Sequence, residues 1–205
     1  MNHYFTDNTD LKHNICEKKV SINGHDFVFF TDNGVFSKNG LDFGTRSLLE
    51  SLPDYIHGDV LDFGCGYGPI GIYLKKIFNC NVDMIDINNR SIELAIKNAL
   101  QNNVNVNVFN SNIYENVTKK YDFIITNPPI RVGKKILYQI LFDAKDHLKD
   151  GGQIWLVINK DQGAKSIQKL LNEHYNVEIK EKDKGFYIFC CKMSWQNTLF
   201  FAKII

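Results

Sequence analysis

From residue 60 onward, compact apolar runs rich in β-branched residues alternate with longer stretches of helical period. No other feature constrains the fold as strongly, because parallel strands need helical crossovers and bury both faces of their sheet. The strand runs are residues 60–63, 82–86, 104–109, 121–126 and 153–158. Helices are expected between them. Residues 91–101 carry Ile92, Ala95, Ile96, Ala99 and Leu100, an i, i+3, i+4, i+7, i+8 stripe that predicts a helix lying on the sheet. Residues 135–148 and 164–171 follow the same pattern, with Gly151-Gly152 read as ending the first of them. Extended runs at 177–181 and 186–191, on either side of the polar Lys182-Asp183-Lys184-Gly185, predict a closing antiparallel hairpin. Near the start, Val20-Ser21-Ile22 and Phe27-Val28-Phe29-Phe30 flank Asn23-Gly24, a pair that tolerates the positive φ of a tight turn. Residues 16–36 are therefore read as a hairpin with a strand end. The fold class is α/β, a mostly parallel sheet with an antiparallel C-terminal hairpin.

A length of 205 residues suits one ordinary domain. The simplest parse is an N-terminal extension over 1–45 that packs on the same domain, a main domain over 46–193, and a tail over 194–205. A hydrophobic share of 44% with 23% charged residues is the balance of a soluble globular protein. A net charge of +1 supplies no global field, so nucleic-acid binding must rest on a local patch. The cysteines Cys16, Cys65, Cys80, Cys190 and Cys191 are odd in number and lack the spacing of a zinc site or disulfide framework. Met1 is followed by Asn2, His3, Tyr4 and Phe5, without the basic start and apolar run of a secretory signal. Apolar runs such as Trp155-Leu156-Val157-Ile158 are far short of the roughly 18 residues of a spanning helix. A cytoplasmic protein is expected.

Gly64-Cys65-Gly66-Tyr67-Gly68-Pro69-Ile70-Gly71 follows the first parallel strand and opens a helix. Backbone N–H groups there can face a polar or anionic ligand that side chains would otherwise block. The literal dinucleotide pattern G-x-G-x-x-G is present from Gly66 to Gly71, with Asp86 beyond it to hold ribose hydroxyls. The turn alone therefore leaves a dinucleotide and S-adenosylmethionine both open. Asp62 favours the second, since a carboxylate there attracts the ammonium of a methionyl group and repels a pyrophosphate; the alternative is a carboxylate that caps the loop. Asp86 has a loop or helix-capping role as its alternative. Asn112 can pair with an adenine edge while Ile113 covers the ring, or Asn112 is an ordinary turn residue.

The apolar run 121–126 leads directly into Asn127-Pro128-Pro129-Ile130, at the sheet edge where ligands of open α/β sheets bind. The prolines fix two φ angles, and Pro128 pushes Asn127 toward an extended conformation. An amide oxygen at Asn127 and the Pro128 carbonyl can then be aimed at little ordering cost. That suits an exocyclic amine, whose lone pair is delocalised and must be directed at a methyl carbon. Two acceptors taking its N–H groups orient the nitrogen and stabilise its developing charge. The bland alternative is a proline-stiffened loop leaving a strand.

Together these residues resemble the small-domain ribosomal RNA guanine-N2 methyltransferases. The likeness covers about residues 20–192 and includes Gly34-Val35-Phe36-Ser37, Leu41-Asp42-Phe43-Gly44-Thr45, the glycine turn, and Asp86-Ile87-Asn88-Asn89-Arg90. It continues through Asn112-Ile113-Tyr114-Glu115-Asn116-Val117 and Asn127-Pro128-Pro129-Ile130-Arg131-Val132-Gly133-Lys134. The resemblance implies a Rossmann-like class I methyltransferase with a seven-stranded sheet, S-adenosylmethionine as cofactor, no metal, and ribosomal RNA or the assembled small subunit as partner. It implies a cofactor site of Gly44, Thr45, Asp62, Gly64, Cys65, Gly66, Asp86, Ile87, Asn112, Ile113 and Asn127. On the same resemblance, Asn127, Pro128 and Pro129 are expected to carry the chemistry, and Phe36, Ile130, Arg131 and Lys134 to meet the substrate.

Three departures stand out. Ile130 occupies the place of an aromatic residue that commonly stacks on the target base, Asn112 replaces a frequent acidic residue, and 194–205 extends past the usual end. Arg131, Lys134 and Lys135 either contact RNA phosphates or form a solvated helix start. The six histidines are scattered without metal-ligand spacing. Competing expectations are adenine N6 or a protein glutamine amide as acceptor, a nicotinamide oxidoreductase, and a cofactor-binding module without activity.

Overall fold

The computed structural model describes residues 11–193; the tail at 194–205 lies outside them. Two strands, β1 (Cys16–Ile22) and β2 (His25–Thr31), pair antiparallel as a separate hairpin. Its turn uses Asn23 and Gly24 at φ 49° and 77°, the positive angles for which that dipeptide is suited. The hairpin ends at Thr31, short of the expected 36.

Helix α1 (Phe43–Glu50) follows, then β3 (Asp59–Phe63), α2 (Pro69–Phe78), β4 (Asn81–Asp86), α3 (Asn89–Gln101), β5 (Asn107–Asn110) and β6 (Tyr121–Thr126). The chain continues through α4 (Lys134–Asp143), β7 (Leu148–Asn159), α5 (Ala164–Leu171), β8 (Tyr175–Asp183) and β9 (Phe186–Met193). The main sheet has the order β5-β4-β3-β6-β7-β9-β8, with β9 antiparallel to both of its neighbours. The expected α/β fold with seven strands and a reversed C-terminal hairpin is the fold observed.

Alternation of side chains along the strands divides the core into two layers. Val60, Met84, Ile125 and Trp155 pack beneath α1, α2, α3 and the N-terminal hairpin, while Leu61, Ile124, Leu156 and Phe189 pack beneath α4 and α5. Both faces are covered, as a parallel sheet requires.

Three further local expectations need correction. The third parallel strand is only Asn107–Asn110, without residues 104–106. The helix expected over 135–148 ends at Asp143, a single 3-10 turn follows, and Gly151-Gly152 lies within β7 instead of closing a helix. The glycines mark a shift in β6–β7 register. Gly151 has φ 78°, and a Cβ at 152 would come within 2.9 Å of the Lys149 carbonyl and 3.1 Å of the Tyr121 carbonyl.

The third correction is the face of α3. Ile96 and Leu100 point outward, while Leu94, Ala95, Asn98, Ala99 and Asn102 are buried. The physical reason is the exposed edge of β2. Asn98 accepts from the Phe30 N–H at 2.6 Å and donates to the Phe30 carbonyl at 2.9 Å, and Asn102 does the same for Val28 at 3.1 and 2.7 Å. Two amides one helical turn apart thus serve as the missing neighbour strand, and the helix rotates to present them.

Candidate active site

A cavity of about 580 Å³ opens at the C-terminal edge of the parallel strands, within the size range of small-molecule sites. One side of it is lined by the ends of β3, β4 and β5 and the loops that follow them. Gly64, Gly66 and Gly68 all have positive φ, and a Cβ at Gly66 would meet open space. The turn is held from below: Asp86 accepts from the Gly66 N–H at 2.8 Å and from the Asn88 N–H at 2.9 Å. Burial raises the Asp86 carboxyl to about 6, against the lowering effect of the backbone N–H groups of Asn88, Gly66 and Ile87. It therefore remains ionised at neutral pH. At the end of β5, Ser111 Oγ donates to the Ile113 carbonyl at 3.0 Å and accepts from the Asn116 N–H at 3.1 Å. This knot holds Ile113 at φ 54°, a strained conformation for a β-branched residue that places it on the cavity wall.

Asp62 sits beneath the turn, fully buried. One carboxylate oxygen accepts from the Gly71 N–H at 2.8 Å, while Oδ1 has no hydrogen-bond partner among the described residues. Burial, opposed by the Gly71 bond and reinforced by the Asp86 charge, pushes its carboxyl up to about 8. A Cβ at Gly71 would lie 2.5 Å from Met84 Cγ and Sδ and 3.1 Å from Asp62 Oδ2, so any side chain there would force Met84 to move. Burial likewise pushes the Cys65 thiol well up, which removes it as a nucleophile at neutral pH.

The second half of the cavity is formed by the loop after β6, with contributions from α1, α4, β7 and β9. Thr126 Oγ1 donates to the Phe63 carbonyl at 2.8 Å, which pins the strand end just before Asn127. The Asn127 amide nitrogen donates to Thr45 Oγ1 at 2.9 Å and lies 3.3 and 3.5 Å from the two Asp42 oxygens. A carboxylate only accepts, so these contacts assign the amide nitrogen to that side. The side-chain oxygen is the atom left for a ligand. Asp42 is itself fixed as the N-cap of α1, accepting from the Thr45 N–H at 3.2 Å and from the Thr45 hydroxyl. A second anchor holds the loop that carries Phe36. Arg90 donates to the Asn33 and Leu11 carbonyls at 2.8 and 2.7 Å and lies 3.7 Å from Asp32, and Asn88 donates to the Gly34 carbonyl at 3.0 Å.

Of the residues singled out in the sequence, Phe36, Gly64, Gly66, Asp86, Ile87, Asn112, Ile113, Asn127, Pro128, Pro129 and Ile130 line this one cavity. Gly44, Thr45, Asp62, Cys65, Arg131 and Lys134 are not on its wall. Thr45 acts behind Asn127, Asp62 behind the glycine turn. Sequence reasoning assigned no site role to Asp42, Phe43, Ser91, Ser111, Val132, Ile136, Asn159, Gln162 and Phe186, which also line it. Asp42 carried a usable signal, a capping residue three positions before Thr45 at the start of a helix. Phe186 was legible only as the first residue of the expected reversed strand; its packing on Phe43 and against Gly44 was not.

A family model described as the methyltransferase small domain matches residues 26–190. The chain belongs to this methyltransferase family. The glycine turn with its dinucleotide-like spacing is therefore the turn of a methyltransferase. Among its relatives, the Bacillus subtilis protein named uncharacterized protein YbxB is 41% identical over 196 residues, covering 93% of this chain and 98% of its own length. Ribosomal RNA small subunit methyltransferase C of Psychromonas ingrahamii is 34% identical over 177 residues, covering 84% of this chain and 50% of its own. The chain thus spans about half the length of that relative. A solved structure, the T. Thermophilus 16S rRNA N2 G1207 methyltransferase in complex with AdoMet and guanosine, superposes with a TM-score of 0.80 at 24% identity, over 88% of this chain and 51% of that one. That likeness is one of fold. Among the described residues there is no cluster of three or more metal-ligating side chains, and no helix is long and apolar enough to cross a membrane.

Proposed function

We propose that this methyltransferase transfers a methyl group to guanine N2 of small-subunit ribosomal RNA. Its cofactor is S-adenosylmethionine, which supplies an electrophilic methyl on a sulfonium. The residues of the first half-cavity fit that group. Gly64 and Gly66 let backbone N–H groups approach it, Asp86 is an ionised acceptor for ribose hydroxyls, and Asn112 and Ile113 stand at the adenine end. The unpartnered, buried Oδ1 of Asp62 fits a position beneath the ammonium end of the methionyl group.

The observation that carries the reading is the Asn127 amide, whose nitrogen is held by Thr45 and Asp42. Its oxygen and the Pro128 carbonyl together accept the two N–H groups of an acceptor amine, which turns the nitrogen lone pair across the cleft. Neither acceptor is a strong base, so they stabilise positive charge as it develops on nitrogen, and the proton leaves to water afterwards. Exposed Arg131, in the turn before α4, and Lys134 and Lys135 at its start are in place to meet RNA phosphates. The amide-and-proline loop also suits adenine N6 or a glutamine amide. Relatives in sequence named ribosomal RNA small subunit methyltransferase C favour ribosomal RNA over a protein acceptor.

The test is transfer of radiolabelled methyl from the cofactor to small ribosomal subunits, free small-subunit RNA, DNA and release factors. Label in N2-methylguanosine is expected; label in N6-methyladenine or in glutamine overturns the acceptor. Asn127→Ala should lower kcat by about 100-fold or more, the usual cost of losing one charge-stabilising hydrogen bond, with a far smaller change in cofactor affinity.

A further inference from the structure

Ile130 has no π face, so a planar acceptor must find its stacking surface elsewhere in the cavity. Two rings on the acceptor side of its wall, Phe43 and Phe186, pack on each other with centroids 5.6 Å apart and planes inclined at 46°. We propose that this pair, with Phe186 as the contacting ring, is the base-stacking wall of the acceptor subsite. The inference rests on the nucleobase reading of the previous section and names the surface that holds the base.

Topology puts the wall on the acceptor side. In the sheet order β6-β7-β9, β9 runs antiparallel to β7, so its first residue, Phe186, comes to the same edge as Asn127. Asn159, the last residue of β7, is its register partner. Two strand spacings of about 4.8 Å separate β6 from β9. A purine fits in that interval, its amine toward Asn127 and its face toward the ring. The cofactor half of the cavity lies on the opposite side of β6, at β3, β4 and β5.

The ring is also locally fixed. A Cβ at Gly44 would lie 2.8 Å from Cε1 of Phe186, so the glycine beside the α1 N-cap leaves the space that Phe186 occupies. Lys184 Nζ covers the Phe43 ring at 4.7 Å from its centroid. Its ammonium stands at the rim of the wall, where the phosphate of a stacked nucleotide can reach it.

Base stacking on one aromatic side chain typically changes affinity by roughly 5- to 150-fold. Phe186→Leu keeps apolar volume and removes the π face. It should raise the RNA KM by at least about 10-fold, while kcat changes less and cofactor affinity by calorimetry stays near wild type. Phe186→Tyr should retain the wild-type KM, which a loss of packing alone does not explain. A short RNA carrying 2-aminopurine gives an independent readout: its fluorescence should be quenched on binding to wild type and to Phe186→Tyr, but not to Phe186→Leu. Unchanged KM and unchanged quenching in Phe186→Leu overturn the wall. If wild type methylates no RNA yet quenches the probe in a Phe186-dependent way, the guanine reading fails and the stacking site stands.

Discussion

Replacing Asn127 by aspartate converts a hydrogen bond at the centre of the site into a repulsion that can be measured as stability. In the native protein the Asn127 amide nitrogen lies 3.3 and 3.5 Å from the Asp42 oxygens. Two unit charges at 3.3 Å repel by about 5 kcal/mol at an effective dielectric of about 20. Side-chain rotation and solvent screening reduce this in a half-buried pair, so a loss of roughly 2–4 kcal/mol near pH 8 is expected. The sign with pH follows from the proton. The pair in the variant holds a proton above the ordinary carboxylate range of about 3.9, where the unfolded chain has released it. Its stability relative to wild type is therefore highest below about pH 4 and declines as pH rises through the raised value. Adding Asp42→Asn restores one amide and one carboxylate with their roles exchanged. That double variant should recover most of the loss at about pH 8, giving a coupling energy of about 2 kcal/mol or more. Urea unfolding at about pH 5 and pH 8 checks both statements. A single variant within 0.5 kcal/mol of wild type at about pH 8, or strictly additive effects in the double variant, would refute the contact and the orientation of Asn127 built on it.

Asn98→Ala leaves the part-buried Phe30 N–H and the Phe30 and Tyr67 carbonyls each without a partner that Asn98 supplies. We expect a loss of about 3 kcal/mol, with faster hydrogen exchange at the Phe30 amide; unchanged exchange there would show that α3 does not hold the β2 edge. For Asp62, burial raises the folded carboxyl to about 8 against about 3.9 in an unfolded chain. Its contribution is thus fully present below about pH 4 and lost as pH rises toward 8. Asp62→Asn lacks that titration, so the cofactor-free variant should gain in Tm relative to wild type between about pH 5 and pH 8. A constant difference between the two across that range contradicts the buried, strained carboxylate.

The layered α/β architecture was legible because its signals are local. Strands of five or six residues with β-branched runs, a glycine turn after Phe63, and a proline-stiffened exit after Thr126 each specify their own backbone through nearest-neighbour sterics. Gly151-Gly152 misled because the same residue that ends helices also relieves crowding inside a strand, and only the Lys149 and Tyr121 carbonyls reveal which applies. The α3 stripe misled because apolar periodicity takes no account of an unpaired strand edge. Asn98 and Asn102 read as polar surface until β2 lies against them.

By itself, then, the sequence determined the order of elements, the sheet edge at which ligands gather, and the two loops that face each other there. Tertiary structure alone decided what those loops do. Asp42 reaches Asn127 across 85 residues of chain, Phe186 packs on Phe43 and against Gly44, and Asp62 turns under the glycine turn instead of lining the cavity. Backbone preferences are set by adjacent residues, whereas the orientation of an amide, the protonation of a carboxylate and the face of a ring depend on neighbours that only the folded chain supplies.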